Sequence, residues 1–123
     1  MKTALIVAIL SLVTCLPALA YETETGAVTI CDTQKQVERY VQVFDGNPRA
    51  AIHLVNTEEN DPNACALADV AYVQGPDVGM ARSSSHAFRI VPIVVVGVSR
   101  SSGYAPVKPG LFFTPVEIKE LAV

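Results

Sequence analysis

The chain has 123 residues, half of them hydrophobic, and its 12 acidic and 9 basic side chains leave a net charge of −3. That apolar content argues against a disordered chain. The acidic balance, without interleaved basic and aromatic residues, argues against nucleic acid as a partner.

The first twenty residues read as a secretory signal. Lys2 supplies the positive start, residues 4–13 are apolar apart from Ser11, and Pro17 breaks the run ahead of Ala18-Leu19-Ala20. The small-x-small pattern places cleavage after Ala20, and the run is too short for a membrane span. Cys15 offers a competing lipidation reading, but Thr14 is larger than the residue expected before a lipidated cysteine. The cut after Ala20 fits better. The expected product is a single small domain, residues 21–123, periplasmic or secreted, with no membrane span.

In that domain, residues 26–30 are β-prone and end at Cys31. Thr33-x-x-Gln36 then forms a capping box. Val37, Tyr40, Val41 and Phe44 follow at helical spacing, and Asp45-Gly46 stops the helix. Asn47-Pro48 starts a second helix at once, with Ala51, Ile52 and Val55 on its buried side and an expected end near Asn56. Residues 57–63 form a polar connector into Cys65.

The rest of the chain reads as β structure: residues 66–74, a short strand over 78–82, a turn at Ser83-Ser84-Ser85, and a strong strand over 87–98. Pro92 requires an edge, a bulge or a bend in that strand. Residues 99–110 are rich in Ser, Gly and Pro and read as a loop, and 111–118 as the last strand. Phe112 and Phe113, being adjacent on a strand, point to opposite faces. The fold class is therefore α+β: an N-terminal helical pair packed on a strongly bent antiparallel sheet of four or five strands, in the manner of a small half-open SH3-like barrel.

Once the leader is removed, Cys31 and Cys65 are the two remaining thiols. An even count in an oxidising compartment points to a disulfide. The alternative is a small hydrolase or thiol enzyme using Cys31 or Cys65 with His53 or His86. Neither cysteine lies in a Cys-x-x-Cys pair, and neither histidine has a ligand-like neighbour.

Three stretches carry a resemblance: Thr29-Ile-Cys-Asp-Thr-Gln-Lys-Gln-Val-Glu-Arg-Tyr40, Asn56-Thr-Glu-Glu-Asn-Asp-Pro-Asn-Ala-Cys65, and Val94-Val-Val-Gly-Val98. In these the chain resembles a group of small, functionally uncharacterised exported bacterial proteins. The resemblance implies one secreted domain with a Cys31–Cys65 pair, and no catalytic residue carries over from it.

Charge is unevenly distributed. Residues 21–77 hold ten acids against Lys35, Arg39 and Arg49, whereas residues 78–116 hold Arg82, Arg89, Arg100 and Lys108 and no acid. Together with Tyr104 and Phe112, these four cations form the candidate binding surface, suited to an envelope protein or an anionic polymer. No cofactor and no metal site is expected. Glu58, Glu59 and Asp61 lack the glycine and closing glutamate of a calcium loop, the glycines lack phosphate-cradling spacing, and the serines beside His86 lack a nucleophile elbow. The sequence reading is thus an exported, non-catalytic binding or inhibitory domain. A homo-oligomer joined through the strand at 87–98, if that strand lay at an edge, is a further reading.

Overall fold

A computed structural model describes residues 22–119. The leader and its cleavage site lie outside the described residues. The element order is β1 (Thr23–Cys31), α1 (Gln34–Val43), α2 (Pro48–Glu59), β2 (Cys65–Gln74), β3 (Gly79–Arg82), β4 (Ala87–Arg100) and β5 (Gly103–Glu117). Two helices pack on a five-stranded antiparallel sheet, the α+β class expected.

The helical pair is set by its caps. Thr33 Oγ1 accepts from the Gln36 amide at 3.2 Å and Gln36 Oε1 accepts from the Thr33 amide at 3.0 Å, which closes the capping box. Val37, Tyr40 and Val41 are buried. Asn47 caps α2 through its side-chain oxygen, with Pro48 at the first helical position. The second helix runs one turn past Asn56, to a left-handed cap at Asn60. In this last turn the Thr57 hydroxyl donates to the His53 carbonyl at 2.7 Å, and Arg39 of α1 reaches Glu58 with two hydrogen bonds, at 2.7 and 2.9 Å.

β1 pairs with β2 from Thr23↔Val73 to Cys31↔Cys65, and β4 pairs with β5 from Phe88↔Glu117 to Arg100↔Gly103. One edge of β4 serves two partners in turn. It pairs with β3 as far as Ile90 and with β2 from Ile93 onward. Pro92 stands at this change of partner, where its missing N–H interrupts neither ladder, and its carbonyl accepts from the Gly75 amide at 2.8 Å. A bulge between Val95 and Gly97 bends the strand further on. A single bridge, Cys31↔Phe113, brings β5 back to β1, so the pairings form a ring that is open along most of that seam.

Two expectations need correction. Residues 99–110 are not a loop: β4 continues to Arg100, and β5 starts at Gly103, whose φ of +114° suits the turn. Pairing with β4 overrides the Ser/Gly/Pro composition, and Pro106 and Pro109 are tolerated because β5 borders an unpaired edge here. The second correction concerns residues 87–98, which do not form an edge strand. β4 is paired on both sides, so it offers no free edge over these residues for strand pairing between copies.

Two apolar cores result. Between helices and sheet lie Val37, Val41, Val55, Phe88 and Ile90, with Phe113 against them. Inside the bend lie Val70, Val91, Ile93 and Val95, with Phe112 against them. The two phenylalanines thus face opposite ways, each into a core. The Cys31–Cys65 disulfide is formed and buried, joining the end of β1 to the start of β2 and bracketing the helical pair.

Candidate apolar docking face and polar groove

The six side chains singled out from the sequence are not gathered on one surface. Arg82 ends β3, and Arg89, near the start of β4, is held by Asp77 at 2.8 Å. Arg100 ends the 14-residue β4, at the far end from Arg89, and Tyr104 and Lys108 follow on β5. The Tyr104 hydroxyl donates to Asp69 at 2.7 Å. That carboxylate, with a smaller effect of burial, raises the phenol above its ordinary pKa. Phe112 points into the bend of the sheet.

The exposed apolar surface lies elsewhere. Phe88, Ile90, Pro92 and Val94 alternate onto one face of β4, as Phe113 and Leu111 do on β5, with Pro92↔Phe113 and Val94↔Leu111 directly opposed. The helices cover Phe88, Ile90 and Phe113 and then stop. Beyond them Val94 is 37% exposed and Leu111 60%. Val73 of β2 sits opposite Val94 and extends the row across three strands. Gly75 lets β2 end hard against this row, since a Cβ there would lie 3.0 Å from Pro92 Cγ. Val73, Gln74, Gly75, Pro92, Val94 and Leu111 together line an open depression of about 330 Å³.

A second concavity, about 500 Å³, lies between the β3–β4 turn and the end of β5. In it His86 Nδ1 meets Glu117 Oε1 at 2.8 Å, and Phe44 packs edge-on against the imidazole with ring centres 5.0 Å apart. The Ser83 hydroxyl is used within the turn, accepting from the His86 amide at 3.1 Å.

Sequence reasoning missed both places. The continuous apolar run 90–98 was the available signal for the face: a strand covered on one side alternates with polar residues, and this one does not. The His86–Glu117 pair had no signal, being 31 residues apart and set by the pairing of β4 with β5. Elsewhere, Glu58 is bound to Arg39, Asp61 accepts from the Asn63 amide, and His53 is exposed on α2. Among the described residues there is no group of three or more His, Cys, Asp or Glu placed to hold a metal ion. Both sulfurs of Cys31 and Cys65 are committed to their own bond. Comparison with protein-family models, curated proteins and solved structures finds no match.

Proposed function

We propose that this chain is an exported, non-catalytic domain that binds a protein of the cell envelope through the face formed by Val73, Pro92, Val94 and Leu111. The observation that carries this reading is the apolar row crossing three adjacent strands where the helical layer ends. A small-molecule pocket combines apolar walls with converging polar groups. This depression is open and Gln74 is the one polar side chain among its lining residues, which favours a protein surface. Export is supported by the leader pattern at residues 1–20 and by the disulfide, which suits an oxidising compartment. The thiol-enzyme reading requires opening a disulfide whose cysteines are at most 1% exposed, and nothing observed favours it.

A photocrosslinker at position 111, in protein expressed with its leader, tests the assignment. The expected result is one discrete adduct, lost when Val94→Asp is introduced and absent when the crosslinker sits at exposed Thr57. Equal labelling at positions 111 and 57 would rule the face out. Leu111→Asp should leave the melting temperature within about 2 °C of wild type, because exposed substitutions change stability by less than ~0.5 kcal/mol. The intact mass of envelope-purified protein, taken without reductant, should match residues 21–123 less the two hydrogens lost to the disulfide.

A further inference from the structure

The apolar depression belongs to a larger surface. β2 pairs with β1 without a break, so Asp69, Ala71 and Val73 share one face with their partners Ala27, Thr25 and Thr23. Val70 points the other way, into the core inside the bend. The face continues onto the next strands. A Cβ on Gly97 would lie 3.2 Å from Ala71 Cβ and 3.7 Å from Tyr104 Cβ, and Val73 stands opposite Val94, itself opposite Leu111. Tyr104, 42% exposed, donates its hydroxyl to Asp69 at 2.7 Å, with Thr25 beside it. Among the residues so placed, Asp69 is the one charged side chain, and that bond already engages it. The helices cover the other end of the sheet, around Phe88, Ile90 and Phe113.

Two properties of this face select its occupant. The first is shape. Leu111, 60% exposed, stands beside an open depression of about 330 Å³ walled by Val73, Pro92 and Val94. Knob and hole on one surface are what a two-fold axis requires, since each copy then offers Leu111 to the depression of the other. The second is charge. A face with one engaged carboxylate gives a charged partner little to pair with, and it does not repel itself. Four residues of strand span ~13 Å, so an axis near Val73 leaves the two Asp69 side chains about 26 Å apart, beyond the ~8 Å screening length of physiological salt. We propose that this face packs, sheet on sheet, against the same face of a second copy, with Leu111 of each in the depression of the other. The inference rests on the docking-face reading above and names the partner. Four strands ~4.8 Å apart, each contributing about five residues at ~3.3 Å, make a face of roughly 300 Å² per copy. That is at the small end of specific interfaces, so the dimer is weak and its population follows concentration.

The test is sedimentation velocity of the oxidised protein without its leader, from about 10 µM to about 1 mM. The expected result is a monomer–dimer equilibrium with a dissociation constant of about 0.1 mM, not weakened by about 1 M sodium chloride, because apolar burial drives it rather than ion pairing. Leu111→Asp, with its fold checked by an unchanged melting temperature, should weaken the dimer more than tenfold, and Thr57→Asp on α2 should leave it as it is. In a mixture of isotope-labelled and unlabelled chains, filtered NOEs should join the Leu111 methyls of one chain to the Val73 methyls of the other. A dimer that survives Leu111→Asp, or filtered contacts at other residues, overturns the interface. A monomer at about 1 mM overturns the second copy as partner, and the photocrosslinker at position 111 then separates the two readings. An adduct whose mass differs from twice that of the chain leaves the docking face standing with another protein on it, and no adduct removes both.

Discussion

The side-chain amide of Asn56 donates to the carbonyls of Pro62 and Cys65, at 2.9 and 3.0 Å, and accepts from the Cys65 amide at 2.8 Å. One half-buried residue of α2 therefore satisfies backbone groups of the connector and of the first residue of β2. Asn56→Ala leaves part-buried backbone groups unpaired and should lower stability by about 2–3 kcal/mol in urea denaturation. Tyr40 makes a different argument at this scale. Burial raises its phenol above the ordinary value of 10.0, against a smaller opposing effect of the Thr29 hydroxyl at 3.4 Å. Above pH 10 the unfolded chain ionises Tyr40 while the folded one does not, so its contribution is complete below pH 10 and is lost as pH rises toward the folded value. The urea midpoint should hold from pH 7 to 9 and fall above 10, less steeply in Tyr40→Phe. Some slope should remain in that variant, because Tyr72 and Tyr104 are also raised.

At the scale of elements, the helical pair is assembled from local signals and then fastened from outside. The capping box, Pro48 and the left-handed Asn60 set its turns, and the Cys31–Cys65 bond closes a loop with a sequence separation of 34 around it. Cross-linking a loop of this length is worth about 4 kcal/mol in the chain-entropy model. Cys31→Ala/Cys65→Ala, chosen because both sites are buried and apolar, should cost about that much in urea unfolding. A loss of less than ~1 kcal/mol would show that the direct β1–β2 ladder already holds the two strands in register. The hairpin from β4 to β5 follows the opposite logic: its Ser/Gly/Pro-rich sequence suggests a loop, and only pairing with β4 makes it a strand.

For the whole molecule, β4 is the organising strand. It is bonded to β3 and β2 along one edge and to β5 along the other, and it contributes Ile90 to the helix-facing core and Ile93 to the core inside the bend. Amide exchange should therefore be slowest in Ile90, Val91, Ile93, Val94 and Val95, opening only with global unfolding. The outer half of β5 near Lys108 should exchange through local opening. Equal protection along β4 and β5 would contradict this arrangement. The same organisation explains the uncovered apolar row: one long strand carries apolar side chains on both faces, and the two short helices reach only part of the outer one.

Several features were legible in the residues themselves: both helix starts, the stop of the first helix, the Cys31–Cys65 pair, the main strand over 87–98 and the opposite aim of Phe112 and Phe113. Each depends on interactions or periodicities confined to a few consecutive residues, or on a cysteine count that leaves one partner. The change of partner at Pro92, the conversion of residues 99–110 into strand, the ring closed at Cys31↔Phe113, the apolar row and the His86–Glu117 pair were decided only in the tertiary structure. A strand's edges and faces acquire their character from segments distant in the chain, and local sequence does not encode which segment arrives. That is why the dispersed cations looked like one surface in the sequence, and why both candidate sites emerged from pairings between β2, β4 and β5.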